Sequence, residues 1–120
     1  MSWGYHLILD AQRCLPYAIR NRSKIEQFSK TLVSRIDMVP YGLPQIHHFG
    51  IDDKAGYTLV QLIETSNITA HFTELDNGLF LDVFSCKEFN KKDVELVVAE
   101  FFAPTSYSTL FLERPIRRME

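Results

Sequence analysis

The sequence predicts an α+β fold, a two-layer sandwich in which two helices cover one face of a mostly antiparallel β-sheet. Patterns typical of strands and helices follow one another in the order strand, helix, four strands, helix, strand. Turn signals separate the strands, and hydrophobic residues make up 46% of the chain, close to the average of globular domains. A chain of 120 residues has room for one core, so we expect a single domain over residues 1–120.

The first strand and the first helix are predicted from two different periodicities. Residues 3–9 alternate large apolar side chains with small or polar ones, as a half-buried strand does. Ser23 is a candidate N-cap of the helix, because Glu26 follows it three residues later. The apolar residues of this helix recur at helical spacing and are Ile25, Phe28, Leu32, Val33 and Ile36.

Four strands are predicted between the two helices, at residues 45–49, 57–63, 68–72 and 79–85. The first two read as a hairpin, because a polar loop that begins with Gly50 joins them. A polar break at residues 64–67 separates the second strand from the third. The turn signal Asp76-Asn77-Gly78 makes the fourth strand an antiparallel partner of the third.

The second helix and the last strand complete the sheet and its cover. Asn90 is the predicted N-cap, and Pro104 ends the helix before a strand at residues 107–112. The apolar stripe of this helix is predicted to be Val94, Val97, Val98 and Phe101.

Both faces of the predicted sheet are apolar. In residues 57–63, Leu59 and Ile63 point to one face, whereas Val60 and Leu62 point to the other. Two helices on the same side cover only one of these faces. We therefore expect the second face to pack on another copy of the chain, which gives a homodimer with a four-layer αββα arrangement.

Composition and charge exclude several classes of function. The formal net charge is -2 and the basic residues are scattered apart from Arg114, Arg117 and Arg118, so nucleic acid is not an expected partner. The chain shows no signal-peptide pattern and no run of roughly 20 apolar residues, which predicts a cytoplasmic protein without a membrane partner. Cys14 and Cys86 are expected to be reduced there, and the absence of Cys-x-x-Cys or His-x-x-x-His spacing predicts no metal site.

A serine, a histidine and a cysteine carry the chemistry that the sequence suggests. Ser66 lies in the polar break between two strands, where its hydroxyl could attack the carbonyl of Thr65 and exchange the peptide bond for an ester. His71 could accept a proton, because an ordinary imidazole has a pKa of about 6.5. Cys86 could donate one, because an ordinary thiol has a pKa of about 8.5. Taken singly, these residues could equally be a turn serine, a sheet histidine and a small buried side chain.

The spacing of these three residues resembles that of the S-adenosylmethionine decarboxylase family. In that family a histidine follows the cleavage serine by five residues and a cysteine follows the histidine by fifteen, as Ser66, His71 and Cys86 do. The matching segments are residues 64–72 (ETSNITAHF) and 81–86 (LDVFSC), with support from Gly4-Tyr5-His6.

The resemblance implies that the protein makes its own cofactor. It implies cleavage directly before Ser66 into residues 1–65 and 66–120, with conversion of Ser66 into a pyruvoyl group. Such a group forms a Schiff base with the substrate amine and takes up the electrons released with carbon dioxide, as pyridoxal phosphate does elsewhere. His71 is then the base in processing, and Cys86 is the acid that reprotonates the product.

Position within the family pattern implies three further roles and shows one departure. Thr58, eight residues before the cleavage serine, would polarise the carbonyl under attack. Phe49 would stack on the adenine of the substrate, and Glu74 would bind its ribose hydroxyls. The departure is Thr65, because many members carry glutamate directly before the serine and here Glu64 stands one residue earlier.

The resemblance therefore predicts an autoprocessing, pyruvoyl-dependent S-adenosylmethionine decarboxylase that supplies decarboxylated S-adenosylmethionine for spermidine synthesis. One alternative keeps the pyruvoyl chemistry with a basic amino acid, ornithine or arginine, as the substrate. A second alternative, suggested by Thr65, is a dimeric binding module that has kept the fold without the cleavage.

Overall fold

One antiparallel sheet and one layer of helices make up the structure, a computed structural model that describes residues 3–115. Arg117 and Arg118, the basic residues near the C-terminus, lie outside the described residues. The strands are β1 (Gly4–Gln12), β2 (Gln45–Phe49), β3 (Gly56–Ile63), β4 (Ser66–Thr73), β5 (Gly78–Ser85) and β6 (Ser106–Arg114). The helices are α1 (Pro16–Ile19), α2 (Arg22–Arg35) and α3 (Lys91–Phe102), with a 3₁₀ turn at Asp52–Lys54 between β2 and β3.

The strands pair in the order β2-β3-β4-β5-β1-β6. Strands β2 to β5 form a meander of hairpins, as the turn signals predict. Strand β1 enters between β5 and β6 and pairs antiparallel with both. The predicted α+β architecture and order of elements are confirmed, and β1 is an interior strand of the sheet.

In the first half of the chain, β1 runs to Gln12, beyond its predicted end at residue 9, and the helical region differs in two ways. Helix α1 has only four residues, too few to show a helical period, and it begins at Pro16, a residue suited to the first turn of a helix. The predicted N-cap Ser23 is wrong, because Asn21 caps α2 and its side chain accepts a hydrogen bond from the backbone N–H of Lys24. Asparagine caps helices as well as serine does, so the sequence offers two candidates within three residues.

The second half differs at several strand ends, of which the start of β4 matters for the site, and in one core residue. Strand β4 begins at Ser66, so the break after β3 is the two-residue turn Glu64-Thr65 and not the predicted four residues. Asn90 caps α3 as predicted, but the fourth buried residue of its stripe is Phe102 instead of Phe101. Phe102 lies two further turns along the face that Val94 begins, and its ring packs at 4.9 Å, centroid to centroid, on that of Phe28.

The core lies between the helices and one face of the sheet, which we call the helix face. Alternate residues of the four central strands are buried there, for example Leu59 in β3, Ala70 in β4 and Leu81 in β5, which are neighbours across the sheet. The buried residues of α2 and α3 cover them. This packing fixes which side of each strand faces the helices.

The opposite side of the sheet, which we call the open face, is partly apolar, and no element formed by residues 3–115 covers it. Leu62 is 45% exposed there and Leu110 is 54% exposed, while Val60 and Ile8 are half-buried by their neighbours in the sheet. The predicted alternation of β3 is therefore confirmed: Leu59 and Ile63 are buried against the helices, and Val60 and Leu62 lie on the open face.

Candidate active site

The turn between β3 and β4 holds Thr65 in an unusual backbone conformation. The pair Ile63 and Ser66 closes this two-residue turn, and Thr65 has a φ of 60°. That left-handed region suits glycine or asparagine, and a β-branched side chain is uncommon in it. The peptide bond that follows Thr65, the predicted cleavage site, is therefore preceded by a strained residue.

Ser66 and Cys86 meet at the same end of the sheet, which we call the cleavage end. Ser66 is the first residue of β4, and Cys86 directly follows the last residue of β5, which is paired with Ser66. The backbone N–H of Cys86 donates a hydrogen bond to Ser66 Oγ at 3.3 Å. The Cys86 Sγ also lies 2.7 Å from Thr65 Oγ1. Both Ser66 and Cys86 are half-buried, so the predicted nucleophile and the predicted acid are adjacent and accessible.

A pocket of about 300 Å³ opens beside these residues. Its lining carries both signs of charge: Lys87 Nζ lies 3.2 Å from the carboxylate of Asp37, and Glu64 is a further acidic residue. The residues that line it are Asp37, Met38, Val39, Glu64, Thr65, Cys86 and Lys87.

Thr58 and His71 form a second cluster, on the open face. They are cross-strand partners in β3 and β4, and Thr58 Oγ1 lies 3.2 Å from His71 Nδ1. His71 is five residues from Ser66 in the same strand, a distance of about 17 Å along an extended chain. Ser66 also lies at a helix-face position of β4, like the buried Ile68. The structure thus brings Thr58 to His71 and Ser66 to Cys86, but it does not bring His71 to Ser66 within one chain.

The two predicted substrate-binding residues lie at the end of the sheet opposite the cleavage end, which we call the distal end. Phe49 is the last residue of β2, lies on the open face and is 58% exposed. Glu74 follows β4 and is engaged by the chain itself: its carboxylate lies 2.8 Å from His48 Nε2 and 3.7 Å from the guanidinium of Arg20. The structure does not bring Phe49 and Glu74 together.

One pair of functional groups on the open face is not predicted from the sequence. His6 Nε2 lies 3.0 Å from the carboxylate of Asp82, and the ring of Phe84 lies edge-on against the imidazole. Since β1 is an interior strand, this pair sits near the middle of the open face. The sequence signal was present, because Gly4-Tyr5-His6 belongs to the resemblance, but the pairing of β1 with β5 is not readable from it.

The comparison that decides the family covers almost the whole chain. Residues 5–115 match the profile of the S-adenosylmethionine decarboxylase family. The chain belongs to this family. The fold of a crystal structure of adenosylmethionine decarboxylase from Aquifex aeolicus agrees with that of the chain, with a TM-score of 0.81, 18% sequence identity and coverage of 99% of this chain and 96% of that one. No protein with a curated description matches the sequence.

Residues 3–115 form neither a cluster of metal ligands nor a membrane-spanning helix. In that part of the chain no three histidine, cysteine or acidic side chains gather as a metal site would need. None of the helices described there has the length and apolar character of a membrane span.

Proposed function

We propose that this chain is the proenzyme of a pyruvoyl-dependent S-adenosylmethionine decarboxylase, which cleaves itself between Thr65 and Ser66 within a homodimer. Membership of the family supports the overall reaction. One observation carries the cleavage: Ser66 follows a residue in the left-handed region, and its hydroxyl is held by the N–H of Cys86. Thr65, Ser66 and Cys86 are therefore suited to the formation of a pyruvoyl group at position 66.

Self-cleavage would use only atoms of the chain and water. Ser66 Oγ attacks the Thr65 carbonyl carbon, the peptide C–N bond breaks, and an ester to a free amino group at residue 66 results. A base removes the α-proton of residue 66, the bond between Cβ and Oγ of that residue breaks, and Thr65 leaves as a carboxylate. The dehydroalanine left behind takes up water and releases ammonia. The single domain then consists of residues 1–65 and 66–120.

The base in this sequence would come from a second copy of the chain. His71 is the residue with the suitable chemistry, but its own chain holds it about 17 Å from Ser66. The hydroxyl of Thr58 lies beside His71 and so is also away from the cleavage end of its own chain. A dimer that brings the Thr58–His71 cluster of one chain to the Ser66–Cys86 cluster of the other would complete two identical sites.

The open face supports such a dimer through its shape and composition. An isologous pair buries the same surface of both copies, and exposed apolar residues such as Leu62 and Leu110 gain most from that burial. A two-fold axis that lies parallel to the sheet and across the strands reverses the strand direction of the second copy. The distal end of one sheet then covers the cleavage end of the other. Because Ser66 starts β4 beside an exposed turn, a group from the facing chain can approach it past the end of the sheet.

The roles in decarboxylation follow from the same arrangement. The pyruvoyl group supplies the electron sink for loss of the substrate carboxylate. Cys86 would hold the proton that returns to the product, since it is adjacent to position 66. Phe49 lies on the open face at the distal end, so its ring would reach the adenine bound in the site of the partner subunit. For Glu74 the ribose role requires release from His48 and Arg20.

The mass of the purified protein tests the cleavage directly. We expect two fragments under denaturing conditions that divide between Thr65 and Ser66, and we expect the second fragment to react with a carbonyl reagent at its N-terminus. Ser66→Ala is the control and should stay intact. A wild-type chain that stays intact after long incubation would refute the proposal and favour the binding module.

Co-expression of two variants that cannot be cleaved on their own tests whether the active site is shared between two chains. Ser66→Ala cannot be cleaved, and His71→Ala lacks the base but retains the serine. After co-expression with random pairing, about half of the His71→Ala chains lie in mixed dimers and should be cleaved, although neither variant cleaves alone. If no cleavage appears in mixed dimers that are isolated by two affinity tags, the base is not supplied by the partner subunit.

A further inference from the structure

Thr65 bears on the proposed cleavage through two groups, its backbone carbonyl and its side-chain hydroxyl. Its carbonyl is the group that Ser66 attacks, and its hydroxyl lies 2.7 Å from Cys86 Sγ. The same hydroxyl donates to the carbonyl of Glu64, with Oγ1 and the oxygen 2.5 Å apart. A threonine hydroxyl has a single hydrogen, which this second contact uses. With that hydrogen directed at Glu64, the thiol is the donor in the contact with Cys86 and Thr65 Oγ1 is the acceptor.

We propose that Thr65 is a positioning residue that keeps Cys86 as a protonated thiol until cleavage cuts the turn that holds Thr65. The proposal rests on the proposed function. It assigns a task to the position where this sequence has threonine and not the glutamate that many members carry.

A thiol beside this peptide bond needs such control. The sulfur contacts the side chain of the residue whose carbonyl carbon is under attack. The thiolate is the nucleophilic form of cysteine and a far stronger nucleophile than a serine hydroxyl. A hydrogen bond that the thiol donates stabilises the protonated form. It thereby leaves the attack to Ser66, whose oxygen the N–H of Cys86 already positions.

Cleavage would release this control at the moment when Cys86 is needed. Thr65 becomes the C-terminal residue of the first fragment, and the turn that presents its hydroxyl to the sulfur is cut. The thiol proton is then free to be given to the product. Cleavage after Thr65 would thus both begin the formation of the pyruvoyl group and free the Cys86 thiol to act as an acid.

The uncleaved Ser66→Ala chain allows the contact to be measured without cleavage. In that background we compare Thr65→Val, which keeps the shape and removes the hydroxyl, with Thr65→Ser, which keeps the hydroxyl. The readout is the rate of alkylation of Cys86 by iodoacetamide, followed by peptide mapping. We expect Thr65→Val to raise this rate about fivefold, the effect of one ordinary hydrogen bond, and Thr65→Ser to return it to the parent value.

Cys14 serves as the internal reference for folding. It is buried, and desolvation raises its pKa to about 11, so it should stay unmodified in the native chain. If Cys14 is alkylated in Thr65→Val, that variant has opened, and Thr65→Ala takes its place. Equal Cys86 rates in the parent and in the folded variant without the hydroxyl would overturn the inference. The proposed function would fail in a different experiment, that of the wild-type mass.

Discussion

Strain at Thr65 should accelerate self-cleavage, and a comparison of alanine with glycine at this position isolates it. Both substitutions remove the hydroxyl, so they differ only in the Cβ that makes a φ of 60° unfavourable. Holding a residue with a Cβ in the left-handed region costs about 1 kcal/mol or somewhat more. If attack by Ser66 relaxes the turn, the barrier for the alanine chain is lower by up to this amount. Thr65→Gly should then cleave about fivefold more slowly than Thr65→Ala.

The assay starts from freshly made proenzyme. Each chain is produced by cell-free synthesis for a short pulse, synthesis is stopped, and the fraction cleaved is followed by intact mass. Circular dichroism on the matching Ser66→Ala double variants confirms that both chains are folded. A folded glycine chain that cleaves as fast as the alanine chain, or faster, would show that the left-handed residue makes no contribution.

Three further predictions concern the adenine site, the dimer and the core. Phe49→Ala should raise the KM for S-adenosylmethionine about fivefold to 150-fold and leave cleavage intact, because a stacked ring contributes about 1–3 kcal/mol. Unchanged steady-state kinetics would exclude the stacking role. Leu110→Glu on the open face should weaken the dimer in sedimentation experiments. Leu96→Glu is the matched control and should leave the dimer unchanged, because Leu96 lies on α3 and is 55% exposed, against 54% for Leu110. Equal effects of the two substitutions would argue against the open face as the interface. Phe102→Ala should lower the free energy of unfolding of the uncleaved Ser66→Ala chain by about 3–5 kcal/mol in urea titrations, and a loss below 1 kcal/mol would contradict its place in the core.

The fold could be predicted because the strands alternate and the turns are marked. Leu59 and Val60 fall on the faces that their spacing indicates. Phe101 was misplaced because two adjacent phenylalanines fit a helical stripe almost equally well, and only packing against Phe28 selects Phe102.

The residues of the site could be predicted from their spacing, but their grouping could not. Ser66 and His71 are an odd number of residues apart, which places them on opposite faces of any strand that contains both. The polar residues at 64–67 predict a longer break that leaves Ser66 outside the strand, and without a common strand this parity carries no information. The contacts of Thr65 with Cys86 and of Thr58 with His71 depend on a two-residue turn that sets the register of the hairpin.

The position of β1 between β5 and β6 determines how the two fragments of the cleaved protein would be held together. Residues before Ser66 supply β1, β2 and β3, and residues from Ser66 onward supply β4, β5 and β6. In the sheet the two fragments therefore alternate and share three strand-to-strand borders, at β3–β4, β5–β1 and β1–β6. The fragments would be interleaved, so that neither could leave without breaking the sheet on both sides of β1. Unfolding would then separate two molecules and depend on concentration, and the peptide bond that once joined them could not re-form.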